Sequence, residues 1–329
     1  SSWHGTHVAG TIAAQTNNSV GLAGVSWGAK VMPIRVLGIG GGTSYDIIQG
    51  VRFAAGLSND SNTLPPQKAD IINLSLGGSG YSLSDQDTYE AVRAAGVIVV
   101  AAAGNNNSSR LYYPASYNGV ISVSATDFAN NRAPYSNFGP RVDVAAPGGN
   151  MATDLNNDGY ADGILSTLVD DSSGMRNPIY RFSQGTSMAS PHVAGILALM
   201  RAVHPGISPD DIDNLLSAGT ITSDIGAAGR DDLYGYGFID ALKSVQAAQK
   251  LANGGTLPPQ PALITSSPNQ LTMKLTNSSV LDISNQGEAV SSITTYGSNA
   301  SWLSINATNV NALGLGEYTV TVDRSGLPG

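Results

Sequence analysis

Residues 182–200 read FSQGTSMASPHVAGILALM, and the turn inside this stretch decides the fold. Gly185-Thr186-Ser187 runs straight into an apolar, helix-like segment. Gly185 permits a tight turn that most residues resist. Ser187 is then expected in the first turn of a helix beginning near Met188. Its hydroxyl would lie at the positive end of the helix dipole, beside N–H groups that have no helical partner. A serine nucleophile needs that setting: an exposed, fixed oxygen with donors nearby for the oxyanion formed on attack. The plainer alternative is that Ser187 merely caps a buried helix, and for an isolated Gly-Thr-Ser the cap is the better reading.

Two further stretches overturn the plain alternative. A serine hydroxyl needs a base to take its proton, and His is the usual one near neutral pH. His4–Gly10 reads HGTHVAG. Val97–Asn107 reads VIVVAAAGNNN, a β-branched run that leads through small residues into a polar turn. This is the pattern of a buried strand delivering Asn105 to a loop, where its amide can donate to an oxyanion.

The blocks HGTHVAG, AAAGN and GTSMASPHVAG, in this order, resemble the subtilisin-like serine proteases, the subtilase family. The resemblance runs from about Ser1 to Gln249. It implies an α/β fold with a parallel sheet flanked by helices, and a serine endopeptidase. In it Ser187 is the nucleophile, His4 the base, and Asn105 with the Ser187 N–H the oxyanion site. The family's third member, an Asp that orients the histidine, stands well upstream of it. Here only Ser1, Ser2 and Trp3 precede His4, and neither Asp70 nor Asp143 matches that motif. The expectation is a fragment of a longer protease, poorly folded and nearly inactive alone.

Composition bounds the remaining choices. A chain of 329 residues, 12% charged, with 39 Gly and 16 Pro, suits a loop-rich globular protein with one large domain and a smaller one. A net charge of −8 argues against a nucleic-acid binder. No apolar run approaches the ~20 residues of a membrane helix. The absence of Cys excludes a disulfide framework and a thiol nucleophile. With the resemblance, this implies a secreted, monomeric enzyme whose partners are extended peptides and proteins.

Taken in order, His4 and His7 raise the possibility of a metal pair, but the glutamate of a zinc-protease motif is absent. His7, His192 and His204 read as packed structural histidines. By resemblance, Thr16–Leu22 matches a calcium loop with Asn18 as a side-chain ligand and carbonyls of Thr16, Val20 and Leu22. A solvated turn is the equal alternative.

Strands are expected at Lys30–Leu37, Ile71–Leu76 and Val97–Ala103. Helices are expected at Tyr45–Ala55, Asp85–Ala95, Pro209–Ser217 and Ile239–Lys250. The glycines of GIGGG (38–42) and SLGG (75–78) lack phosphate-loop spacing and would let a substrate backbone lie alongside as an added strand. The resemblance puts the peptide between Gly40, Gly41, Gly42 and Ser75, Leu76, Gly77. It suggests a cis bond before Pro114. It also puts Tyr112 at the floor of the primary specificity pocket, where the ring either shortens the pocket or swings outward.

DLNNDGYADG (154–163) carries carboxylates and an amide at alternate positions followed by Gly, the start of an EF-hand-type loop. Asp154, Asn156, Asp158, the Tyr160 carbonyl and Asp162 are the expected ligands of a structural calcium ion. Leu165 stands where an EF-hand has its bidentate Glu. An ordinary Asp/Asn/Gly solvent loop is the alternative.

The peptidase-like region is expected over residues 1–250 and a Gly/Pro-rich linker over 251–261. Residues 262–329 are expected to form a small, partial all-β sandwich, whose SWLSI (301–305) and YTVTV (318–322) resemble immunoglobulin-like modules. Two competing functions use the same fold: a non-catalytic peptide-binding pseudoprotease, and a transpeptidase or cyclase.

Overall fold

The structure, a computed structural model, describes residues 3–257, 264–267, 277–285, 292–293, 296–298 and 301–325. The chain divides into two compact units, Ser1–Leu257 and Pro258–Gly329.

In the first unit the elements run α1 (His4–Ala13), α2 (Ser44–Ala54), β1 (Ile71–Leu74), α3 (Leu83–Ala94), β2 (Ile98–Ala102), β3 (Val120–Thr126) and β4 (Val144–Pro147). They continue with β5 (Ile164–Asp170), β6 (Asn177–Ser183), α4 (Thr186–Val203), α5 (Pro209–Ser217), β7 (Thr222–Ser223), β8 (Phe238–Ile239) and α6 (Ala241–Ala252). The main sheet has the order β1-β2-β3-β4-β8-β7. Every pairing from β1 to β8 is parallel, and β7 pairs antiparallel with β8. A separate hairpin pairs β5 with β6.

The apolar run of β2 shows why both faces are covered. Ile98 and Val100 belong to a core that includes Val193, Leu197 and Met200 of α4. Their neighbours Val97, Val99 and Ala101 point the other way, into a core with Ile48 and Val51 of α2 and Val92 of α3. A strand apolar at every position has no solvent face to offer, and helices must cover both sides.

Besides shifts of one or two residues at the ends of α2, β1, α3 and β2, three expectations change. Lys30–Leu37 is not a strand: no ladder forms along it, and it lies across α2, where Ile34 and Val36 line the position a Cβ on Gly50 would take. The β-branched run made it read as a strand, but a strand also needs a partner, and β1 is the edge of the sheet. The last helix starts two residues later than expected and runs to Ala252, so the linker expected at 251–261 begins inside α6. Residues 258–261 of that linker lie outside the described residues.

The second unit contains β9 (Ile264–Ser267), β10 (Ser278–Asn285), β11 (Leu303–Val310) and β12 (Gly316–Val322). They form one antiparallel sheet in the order β11-β12-β10-β9. Among the described residues Tyr318 and Val320 are its buried side chains, and Tyr296 stands edge-on to Tyr318. The second layer of the expected sandwich is not among the described residues.

Candidate active site

Ser187 sits in the first turn of α4, half-buried, as the Gly-Thr-Ser turn implies. Gly185 caps the helix at φ 146°, a conformation for which glycine is suited. Four residues after Ser187 comes Pro191, which has no N–H to donate back to the Ser187 carbonyl. The Ser75 hydroxyl donates to that orphaned carbonyl at 2.8 Å. In return the Ser187 hydroxyl donates to the Ser75 carbonyl at 3.3 Å. Ser75 is itself held: Asn73 Nδ2 donates to its Oγ at 3.0 Å, and Ser190 Oγ donates to Asn73 Oδ1 at 2.6 Å.

Asn105 leaves the end of β2 exposed to solvent, as expected. Its Oδ1 accepts from both Thr186 N and Thr186 Oγ1, each at 2.9 Å. Thr186 Oγ1 also accepts from Gly104 N at 3.1 Å. The Asn105 carbonyl oxygen is thus engaged from two sides, and the amide N–H groups remain to serve an incoming oxyanion. A Cβ placed on Gly185 would lie 3.5 Å from Asn105 Nδ2 and 3.6 Å from Ser187 N, so both donors border the same small space. Asn137 shapes the loop beneath, accepting from Asn106 N and Ser108 N and donating to the Ala103 carbonyl.

His4 is the first residue of α1, which packs against α4. No hydrogen bond joins its imidazole to Ser187, whose hydroxyl rests on Ser75 instead. Nor does a carboxylate among the described residues hydrogen-bond His4. Burial, with a smaller contribution from His7, lowers its pKa below the 6.5 of a free imidazole, so the ring is neutral and able to accept a proton. His7 is fully buried and donates from Nε2 to the Arg181 carbonyl at 3.0 Å. His192 donates from Nδ1 to the Met188 carbonyl at 2.8 Å, and His204 closes the C-terminal end of α4. All three therefore have the structural roles expected of them.

The glycine segments flank this centre. Gly40 and Gly41 hold left-handed conformations, with φ of 88° and 107°, and Gly40, Gly41 and Gly42 are exposed. Ser75, Leu76 and Gly77 follow β1, and Gly78 pairs with Tyr113 in a two-way bridge. The Tyr113–Pro114 bond is cis. Tyr112 turns inward, not outward. Its hydroxyl donates to the Gly77 carbonyl at 2.7 Å. Its ring carbons lie 2.5 Å from the Cβ position of Gly77 and 3.0 Å from that of Gly104. The ring thus spans the gap between the Gly77 and Gly104 segments.

The expected calcium ligands of the 154–162 loop bond locally to backbone N–H groups of the loop itself. Asp154 accepts from Asp158 N and Gly159 N, Asp158 from Tyr160 N, and Asp162 from Leu155 N. Asn156 accepts from Asp158 N and donates to the Asp158 carboxylate. Asn18 accepts locally from Val20 N. Among the described residues no three acidic or imidazole groups converge as a metal site would require. Carboxylates spaced along a tight turn find the nearest backbone N–H groups, which separates the like charges.

Sequence reasoning missed Thr186, Asn73 and Ser190. The last two carried a signal, a polar residue inside an apolar strand and another inside an apolar helix, since such groups are buried only when paired.

A model of the subtilase family, peptidase S8, matches residues 1–237. This chain belongs to the subtilase family. It is 41% identical over 219 residues to an extracellular protease of Xanthomonas campestris pv. campestris, covering 66% of this chain and 36% of that protein. It is 40% identical over 254 residues to an extracellular basic protease of Dichelobacter nodosus, covering 75% and 39%. The chain thus spans well under half the length of these two curated relatives. A solved protease structure from Pseudoalteromonas arctica superposes with a TM-score of 0.68 at 45% identity, covering 75% of this chain and 71% of that one. No helix among this subtilase's described residues is long and apolar enough to cross a membrane.

Proposed function

We propose that this subtilase is a serine endopeptidase that cleaves extended polypeptides through an acyl-enzyme. The observation that carries the proposal is the arrangement of Ser187 and Asn105. A hydroxyl at a helix start borders an amide whose carbonyl end is tied down by Thr186, leaving its donors for the oxyanion. In the proposed reaction a substrate N–H takes the Ser75 carbonyl and releases the Ser187 hydroxyl toward His4. Ser187 Oγ attacks the scissile carbonyl while His4 takes its proton. His4 then gives that proton to the leaving amine, and water deacylates Ser187 by the same route in reverse. The base requires a neutral imidazole, which the lowered pKa of His4 supports.

Tyr112 supports a preference for small residues at the acyl side of the scissile bond, because its ring fills the space between Gly77 and Gly104. The extracellular proteases among the relatives support a secreted enzyme. Calcium is proposed as a structural ion of the 154–162 loop, on the oxygen-only donors of Asp154, Asn156, Asp158 and Asp162. There it would neutralise carboxylates crowded into one turn. A chelator should then lower the Tm, and a Tm that EGTA leaves in place removes calcium from the account.

A serine-directed fluorophosphonate probe tests the core proposal, on this chain and on its natural full-length polypeptide, alongside peptide hydrolysis and product analysis. Labelling and hydrolysis lost together in Ser187→Ala support an endopeptidase. Ligated or cyclised products would reassign the chemistry to acyl transfer, and binding without turnover would make the protein a pseudoprotease.

A further inference from the structure

We infer that Tyr160 and Phe182 form an apolar subsite for the substrate residues on the leaving side of the scissile bond; this rests on the endopeptidase reading. If His4 protonates the leaving amine, the amine half of the substrate must lie on the His4 side of Ser187. His4 begins α1, and α1 is docked on the β5–β6 hairpin. Ser166 Oγ donates to the His7 carbonyl, Thr167 Oγ1 donates to the Thr6 carbonyl, and His7 reaches the Arg181 carbonyl. The acyl half is assigned to Ser75–Gly77, which reaches Ser187 by a separate route. The hairpin therefore borders the path of the leaving half.

That border is apolar. Leu165 and Phe182 are paired across the hairpin, so both side chains stand on one face. The Tyr160 ring packs on Phe182 with centroids 5.9 Å apart. Tyr160 remains 64% exposed, and Leu165 and Met151 are 41% and 42% exposed, so the cluster is not a core. Tyr160 comes from the loop between β4 and β5, which is fixed to the catalytic turn. Met151 N donates to Gln184 Oε1 at 2.6 Å, and Gly185 N donates to the Gly148 carbonyl at 3.0 Å. The loop closes on itself through Asn150 N to the Asp162 carbonyl at 2.7 Å. Gly163 lets it press against the hairpin, for a Cβ there would meet Phe182 Cβ at 3.0 Å and Met151 Cγ at 3.1 Å. An aromatic pair of exposed Tyr160 on half-buried Phe182, anchored three residues before Ser187, is suited to take Leu, Met or Phe side chains of a departing peptide.

The test uses the natural polypeptide and quenched peptides with one acyl half and either Leu-Phe or Gly-Asp as the first two leaving-side residues. A p-nitroanilide of the same acyl half, which has no leaving-side residues, serves as reference. The wild type should favour the Leu-Phe peptide by about tenfold or more in kcat/KM. Tyr160→Ala and Phe182→Ala should each remove most of that ratio, and Tyr160→Phe should retain it. A wild-type ratio near one, or a ratio that both alanine variants leave within about twofold of wild type, overturns the subsite. Turnover of the anilide without a leaving-side preference sinks the subsite alone. No turnover of any substrate sinks the endopeptidase reading beneath it.

Discussion

The two ends of the proposed catalytic centre are held by different physics. At the oxyanion end, Asn105 is fixed by Thr186, which is fully buried and is also bonded to Gly104. Ser187 is fixed by Ser75, and Ser75 by Asn73 and Ser190. At the base end, the His4 imidazole makes no hydrogen bond among the described residues. It is placed by helix docking, through Ser166 and Thr167 of the hairpin, through His7 on the hairpin's Arg181 carbonyl, and through Trp3 Nε1, which donates to Asp171 Oδ2 at 3.0 Å. A buried polar network fixes an atom's direction as well as its position, because each unmet bond inside is expensive. Docking a helix fixes only where its first residue begins. The donors of this subtilase are thus set by hydrogen bonds before substrate arrives, whereas the imidazole is set by packing.

The largest effect that would break this contrast is at the oxyanion end. Asn105→Ala should lower kcat by roughly 10²–10³-fold with little change in KM, a range taken from the subtilisins themselves. A change in KM alone would mean that Asn105 binds the ground state instead. Thr186→Val, which leaves Gly104 N unpaired and Asn105 Oδ1 with only the backbone N–H of residue 186, should cost about 1–3 kcal/mol in stability by denaturant titration. Its kcat should fall in the same direction as that of Asn105→Ala.

At the base end, Gly10→Ala would put a Cβ 2.2 Å from Thr167 Oγ1 and 2.5 Å from Ser166 Oγ. Lifting α1 off the hairpin should destabilise by about 1–3 kcal/mol. It should also slow turnover more than binding, since His4 moves with the helix. Unchanged kcat in a destabilised Gly10→Ala protein would break the link between docking and catalysis. The pH profile sharpens the same point. Activity should fall as pH drops through the pKa of His4, and the midpoint of that limb should lie below 6.5 because burial disfavours the imidazolium.

The smallest effect lies outside the site and serves as a control. Burial pushes Asp143 up to about 7, with Asp213 adding to the shift while the Ser122 N–H bond opposes it. Unfolding returns its carboxyl to the ordinary 3.8. The stability tied to its protonated form is complete below that value and is lost as pH rises through about 7. Asp143→Asn should flatten this decline in a Tm-against-pH series, while the pH limb of activity set by His4 stays in place.

Much of the architecture was legible because it is local. Strand β2 is apolar on both faces, α5 opens on Ser208-Pro209 with a capping box, and Gly185 supplies the turn before Ser187. Lys30–Leu37 misled because a strand is completed by its neighbour, which composition does not reveal. In the acidic loop the sequence sets the order of the oxygen donors, while the directions of their side chains follow the backbone N–H groups they meet.

The sequence by itself determined the nucleophile's setting, a glycine turn feeding a helix whose fifth residue after Thr186 is a proline that frees the Ser187 carbonyl. It also determined that Asn105 leaves a buried strand for solvent. Only the tertiary structure decided that Ser75 takes that carbonyl from 112 positions away, that Thr186 holds Asn105 across 81, and that Tyr112 lies inward on Gly77. Dihedral preference and missing donors act between neighbours in the chain. The partner of a freed polar group is set by the packing of whole elements, which bring residues together regardless of their distance in sequence.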